Sequence, residues 1–470
     1  MRDKRNILII SYYYLPEVMA ASYRMHAWAK YLQKSGWEPI IITKLRDESK
    51  AQNSPDKPAL FSREYDSKIN CPVYRVPYNQ KFKKIWDLRG KLSSKSNPSL
   101  IDITVRKFLS FVIRNILLIP DEKAGWYETA YKAALFIMKQ HKFDIIIATG
   151  PPWTDFKIAS QLSSVTNTPW IADYRDPWTQ PTTKGIKKEY FIWMLVNRIY
   201  ERKLAKTATE IIQNTETAQK NLAKLLGRKV NLIRNGFDPD NFRDKNKATP
   251  DKKVFTISFI GTLHSNTITD VFIGGFHKFI KENKITPKTC KLELIGNTNG
   301  FKRIEKTYQN FSDIRKFVSY IPPVSQKRAN EKMCRSHILL LFPFDMRGCI
   351  PAKTYEYLAS GRPILVTPAG RYQDGIKKLI EKTKSGVVLN SQEEVTEWLK
   401  SKYEEFISTG FVKSYTLKSV VEKYSRKYQV KNLAEILKHT LKTRNFSLPK
   451  PITQFKKTDN LKTSKSDINL

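Results

Sequence analysis

The chain has 470 residues, 40% hydrophobic and 12% aromatic, with 83 Lys plus Arg against 44 Asp plus Glu and a net charge of +39. That apolar content excludes a wholly disordered chain, and the length suits two or three domains of roughly 150 residues each. The charge favours anionic partners (nucleic acid, phospholipid headgroups or phosphorylated substrates) without choosing among them.

In chain order, Asn6–Ser11 reads as a buried strand because its apolar run has no polar face. Helical spacing follows over Tyr23–Gln33. Further strands are expected at Pro39–Thr43, Pro72–Val76, Phe143–Ala148, Pro169–Asp173, Glu210–Gln213 and Val230–Ile233, with helical stretches between most of them. The polar stretch Asn235–Pro250, with Gly236 and two prolines, reads as a linker. Alternation then resumes at Val254–Ile260, Lys291–Ile295, Phe317–Ile321, His337–Phe342, Pro363–Val366 and Gly386–Leu389, and helical segments run from Val395 to about Lys442. Repeated strand–helix–strand units imply an α/β protein: two doubly wound parallel-sheet domains, residues 1–240 and 251–425, facing across a cleft. The basic tail 443–470 has few apolar anchors and reads as disordered.

Cys71, Cys290, Cys334 and Cys349 lack metal-ligand spacing, which argues against a disulfide scaffold or zinc module and fits a reducing compartment. The run Ile7–Ile10 is too short for a signal-peptide core, and Arg114 and Asn115 break the stretch Phe108–Pro120. No segment reaches the ~20 apolar residues of a spanning helix, so a soluble or peripheral protein is expected.

Ligands of open parallel sheets bind beyond the carboxyl ends of strands. After the first strand, the small residues Ala20, Ala21 and Ser22 with Arg24 suit a phosphate, against the plainer reading of a tolerant loop. Thr149–Trp153 and Asp173–Trp178 place prolines and aromatics at two strand ends. There Trp153 and Trp178 are candidates to stack on a sugar face. Asp173 is a candidate to orient hydroxyls, and Asp176 to act on an acceptor hydroxyl as a base. The alternative is structural, with Arg175 pairing internally with an aspartate. In Cys349–Ile364, Pro351 suits a first helical turn, where Lys353 opposes the helix dipole unless an anion is bound. Glu356 shares its face and suits the two hydroxyls of a ribose; the alternative is a surface Lys–Glu pair of little worth.

Five segments together resemble glycosyltransferase family 4 over about residues 5–440. They are Tyr14-Leu-Pro-Glu17 with Arg24, Arg175-Asp-Pro-Trp178, Arg234-Asn-Gly-Phe-Asp238, Phe259-Ile-Gly-Thr262 and Lys353-Thr-Tyr-Glu-Tyr-Leu-Ala-Ser-Gly-Arg-Pro363. The resemblance implies a GT-B fold of two Rossmann-like domains, with nucleotide sugar on the C-terminal domain and acceptor on the N-terminal one. It also implies retaining transfer that is independent of metal ions, with the nucleotide diphosphate sugar as co-substrate and no cofactor. By position, Glu356 would hold the donor ribose, while Lys353 and the backbone of Ile350, Pro351 and Ala352 would face the diphosphate. Gly261, Thr262, Gly296 and Asn297 would line the nucleotide cleft, with Tyr320 and Ile321 near the base. Trp153, Asp173, Arg175 and Trp178 would belong to the acceptor side, and helix 426–442 would brace the N-terminal domain. The chain departs from the family in having Gly348 where many members carry a first glutamate, with Asp345 the nearest carboxylate. It also lacks the usual Arg and Lys in Thr262–Thr269, a deficit that Lys353 is placed to supply.

The excursion 79–115 holds nine Lys or Arg and two Asp among apolar residues, and Lys187–Lys206 is a second basic amphipathic stretch. Both are candidates for an anionic membrane surface on the cytoplasmic side, or are helices packed with a solvated Lys face. The expected partners are therefore a nucleotide sugar and a glycan or lipid-linked acceptor of cell-surface polysaccharide assembly. Three readings stand beside transfer: a sugar-nucleotide epimerase on the same fold, a nucleic-acid-binding protein prompted by the charge, and a non-catalytic scaffold. The sequence holds no recognisable nucleic-acid module.

Overall fold

The computed structural model describes residues 4–46, 61–79, 82, 84, 118–180, 191–244, 247–263, 267, 269–297, 311–342, 349–367 and 374–443. Most of the basic excursion 79–115, residues 343–348 with Asp345 and Gly348, and the tail beyond 443 lie outside them.

The N-terminal domain is built on eight strands: β1 (Arg5–Ile10), β2 (Trp37–Lys44), β3 (Ser62–Asp66), β4 (Cys71–Val76), β5 (Ile145–Gly150), β6 (Trp170–Tyr174), β7 (Glu210–Gln213) and β8 (Asn231–Leu232). Their order is β3-β4-β2-β1-β5-β6-β7-β8, and among the described strands β3 alone runs antiparallel. Strands β1 and β5 are apolar on both faces because helices cover both. On one face lie α2 (Tyr127–Gln140), α3 (Thr154–Thr166), α4 (Phe191–Thr207) and α5 (Glu216–Leu226); the other carries α1 (Ala20–Gln33).

In the C-terminal domain β9 (Phe255–Gly261), β10 (Cys290–Gly296), β11 (Val318–Ile321), β12 (Ile338–Leu341), β13 (Ile364–Val366) and β14 (Gly386–Val388) form a parallel sheet ordered β11-β10-β9-β12-β13-β14. Helices α6 (Asp270–Glu282) and α11 (Gln392–Thr409) cover one face, beside the short α7 (Phe311–Arg315). Helices α8 (Gln326–Arg335), α9 (Ala352–Ser360), α10 (Asp374–Thr383) and α12 (Lys418–Glu422) cover the other. Helix α13 (Arg426–Thr443) leaves this domain and packs Val430, Leu433, Ala434 and Leu437 into the N-terminal core beside α1.

The chain therefore crosses between domains twice, and the crossings pair. Phe237 bridges Ser425, and Arg426 N donates to Phe237 O at 2.7 Å. A Cβ on Gly236 would sit 2.3 Å from Tyr424 O, which is why no side chain fits there. The segment read as a linker is not loose. Phe237, Phe242 and Ala248 bury into the C-terminal core, while Tyr31 Oη and Lys30 Nζ hold Asp238 at 2.6 and 2.7 Å.

Candidate functional site

Three strand ends align in the C-terminal domain, because Gly296 pairs with Gly261 and Ile295 with Ile321. Gly296 has φ +140°, and a Cβ there would lie 1.9 Å from Gly261 O, so the two backbones meet as only glycine permits. Thr262 and Asn297 follow as exposed residues; Tyr320 and Ile321 are half-buried. The nucleotide-cleft candidates of β9, β10 and β11 thus share one end of the sheet.

Helix α9 begins after β12. Pro351 is its N-cap rather than a first-turn residue, and no side chain caps it. Ile350, Pro351, Ala352 and Lys353 are only partly buried, so the opening turn is accessible, and the leading amides of a helix suit an anion. Lys353 Nζ lies 2.5 Å from Glu356 Oε2, and Gln326 Nε2 donates to Glu356 Oε1 at 3.1 Å. On the core side, the Tyr357 hydroxyl accepts Ile260 N–H at 2.8 Å, bracing α9 against β9. The Glu356 carboxylate also reaches the other domain electrostatically. After burial, it is the largest influence raising the Tyr23 phenol, and it partly offsets the burial that lowers the Arg426 guanidinium.

The N-terminal candidates divide. Arg24, expected to meet phosphate, is instead buried and consumed internally. Its Nη2 and Nε donate to both oxygens of Asp173 at 2.8 and 3.1 Å, and its remaining donors reach Ile233 O, Arg234 O and Asn235 Oδ1. Asp173 is likewise unavailable to an acceptor, being fully buried and also bonded by Thr149 Oγ1 at 2.8 Å. The aspartate does pair internally, with Arg24 and not with Arg175. Trp153 and Trp178 stack on each other at 4.7 Å and 4°, each only 7% exposed, so neither offers a free face to a sugar.

Asp176 alone of that segment is exposed, yet it stands among enough protein to raise its carboxyl by desolvation, opposed by the neighbouring Arg175 charge. This is the environment of a group at the base of a cleft, reached by water but surrounded. It acts across the seam on Cys349, whose thiol burial and then Asp176 push up to about 12. Asp176 is thus within electrostatic reach of the loop that leads into α9. Arg175 Nε has no hydrogen-bond partner, and the charges of Asp176, Asp173 and Asp155 surround it.

Sequence reasoning missed Gln326, Tyr23 and Arg426, which converge on Glu356 from three distant elements and share no local motif with it. It also missed Asp155, whose Oδ2 accepts Tyr12 N–H at 2.9 Å and which fixes the loop after β1. Behind the site Thr179 Oγ1 donates to Glu201, whose Oε1 has no partner. Burial pushes that carboxyl up to about 7, against the opposing hydrogen bonds from Thr179. A raised acid favours the folded state at low pH, so stability falls as pH climbs from about 4.5 to about 7. Urea unfolding of Glu201→Gln is expected to show a gain of about 1–3 kcal/mol at pH 8 and none at pH 4.

A seam cavity of about 760 Å³ runs beside the hinge, lined by His26, Lys30, Asp66, Asp238, Gln326 and Arg426 among others. Neither Lys353 nor Glu356 lines it, and its charges are largely spent: Lys30 pairs with Asp238 and Asp240, and His26 with Asp66. It lies beside the strand-end site. On α4, Leu195 and Ile199 are 43% and 69% exposed, one turn apart, next to exposed Arg198 and Arg202. Among the described residues no helix is long and apolar enough to cross a membrane.

No protein-family model and no curated protein sequence matches the chain. Solved structures do. Sucrose-phosphate synthase from Thermosynechococcus elongatus superposes with a TM-score of 0.61 at 12% identity, over 93% of this chain and 100% of that one. A glycosyltransferase from Rickettsia africae gives 0.56 at 14% identity, over 94% and 99%. Anabaena HepE in complex with UDP-glucose gives 0.57 at 14% identity, over 92% and 99%. The likeness is one of fold, extends over both domains, and gives this chain the two-lobed GT-B architecture.

Proposed function

We propose that the protein is a glycosyltransferase resembling family 4, moving a hexose or N-acetylhexosamine from a nucleotide diphosphate sugar to a glycan or lipid-linked acceptor. The observation that carries this reading is the open, uncapped start of α9 at the seam, with Lys353 and Glu356 on one face and the Asp176 charge felt at Cys349 just before it. The diphosphate occupies the amides of Ala352 and Lys353, and the Lys353 ammonium leaves Glu356 to meet it. Glu356, held by Gln326, then accepts the ribose hydroxyls. In the transfer step the bond from sugar C1 to the diphosphate oxygen breaks and a bond from C1 to the acceptor oxygen forms. Charge developing on the leaving diphosphate is met by Lys353 and the helix amides. Asp176 receives the acceptor's proton, a role its raised carboxyl suits. Retention at C1, with the acceptor oxygen entering on the face from which the diphosphate leaves, and independence of metal ions belong to the same proposal. So does work on surface polysaccharide at the cytoplasmic face of a membrane, for which the exposed Leu195–Ile199 pair with its basic neighbours is the supporting feature.

Thermal unfolding with a panel of UDP-, GDP- and ADP-sugars tests the reading. One nucleotide class is expected to stabilise the protein, by about 2.7 kcal/mol at a hundredfold excess over Kd, and Glu356→Ala to abolish that gain. No response to any sugar nucleotide would remove the proposal. Release of nucleotide and altered sugar without acceptor would identify an epimerase instead.

A further inference from the structure

From the residues around a second seam pocket we infer a binding site for a phosphate-class anion that straps the two domains together. This pocket, of about 390 Å³, lies across the hinge and takes Lys220 from α5, Arg234 and Tyr424 from the crossings, and Tyr355, Lys378 and Lys382 from the C-terminal domain. It touches the start of α9 through Cys349 and Ile350, but neither Lys353 nor Glu356 lines it. Tyr355 follows Lys353 by two residues and so projects from the other side of the helix, about 160° around.

Two independent features call for an anion. Lys220, Lys378 and Lys382 have no carboxylate partner among the described residues, whereas Arg234 is paired with Glu216. Lys378 and Lys382 stand one turn apart on α10, and Lys220 belongs to the opposite domain, so three exposed, uncompensated charges line one pocket from both sides of a seam. Like charges around one pocket repel, and an anion between them converts the repulsion into a cross-link. The second feature is the Tyr355 hydroxyl. The residue is 1% exposed, lines the pocket, and its oxygen has no hydrogen-bond partner. A buried hydroxyl left unpaired is costly, and an anion oxygen in the pocket accepts its hydrogen bond.

The charge count selects the class. A single carboxylate leaves most of the positive charge uncompensated, whereas a phosphoryl group carries two charges and several acceptor oxygens, and lysine binds it as a point charge. The volume accommodates a phosphoryl group with a small body attached, such as a sugar phosphate. Bound there, it favours the arrangement in which Lys220 and α10 are close, and so sets the width of the strand-end cleft beside it.

Isothermal titration of the full chain at constant ionic strength, with inorganic phosphate, pyrophosphate and glucose 6-phosphate in separate arms, tests this. At least one is expected to bind the wild type and Lys353→Ala with equal affinity. Binding is expected to weaken at least tenfold in Lys378→Glu/Lys382→Glu and several-fold in Tyr355→Phe. The tightest arm tells whether the phosphoryl group alone or the attached sugar is recognised. Failure of all three to bind the wild type would overturn the site, as would undiminished binding to the double variant. Loss of binding in Lys353→Ala alone would move the anion to α9 and also overturn it. Sugar-nucleotide stabilisation, measured in the same double variant, stands or falls separately.

Discussion

Replacing Arg24 with alanine is expected to cost about 3–5 kcal/mol of folding stability, the usual penalty for leaving a buried charge without its partner. The side chain is 4% exposed and Asp173 fully buried, so solvent replaces neither. The loss reaches beyond one ion pair: the same guanidinium bonds Ile233 O and Arg234 O, where β8 leads into the first crossing, and stacks over Trp28 at 4.4 Å. Arg24→Lys restores charge but not the forked geometry, and is expected to recover only part of the stability. Urea unfolding decides the matter. A midpoint unmoved in Arg24→Ala, with weakened sugar-nucleotide binding, would return this residue to the phosphate role its sequence position suggested.

Lys353→Ala is expected to lower turnover by about 10²–10³, equivalent to about 2.7–4 kcal/mol of lost transition-state stabilisation. Its effect on folding is expected to be small, because a partly exposed i,i+3 pair is worth only about 0.3–0.5 kcal/mol. Steady-state kinetics together with unfolding midpoints separate the two effects. Unchanged turnover would mean that the Lys353–Glu356 pair is the plain surface pair considered as the alternative.

Strand positions were readable because a parallel sheet covered on both faces needs uninterrupted apolar runs, and segments such as Ile7–Ile10 and Ile338–Leu341 have no other use. Strand β3 was not readable. Ser62-Arg-Glu-Tyr-Asp66 is an exposed antiparallel edge held by β4, and nothing in its polar composition demands burial. The start of α9 was readable because proline, lysine and glutamate lie within about a turn and a half. The role of Arg24 was not, since its partner lies 149 residues away and a cation near the start of a helix reads alike whether it faces a ligand or a carboxylate. The tryptophans misled for a related reason. Each one looks available at its strand end, and only the adjacency of β5 and β6 shows that they cover each other.

Helix α13 has a consequence for biosynthesis. The part of the first sheet's face beside α1 that receives Val430, Leu433 and Leu437 lacks that cover while the second lobe is translated and folds, so a ribosome carries an incomplete amino-terminal half until those residues emerge. A stop codon placed before Arg426 would therefore damage the half of the molecule made first.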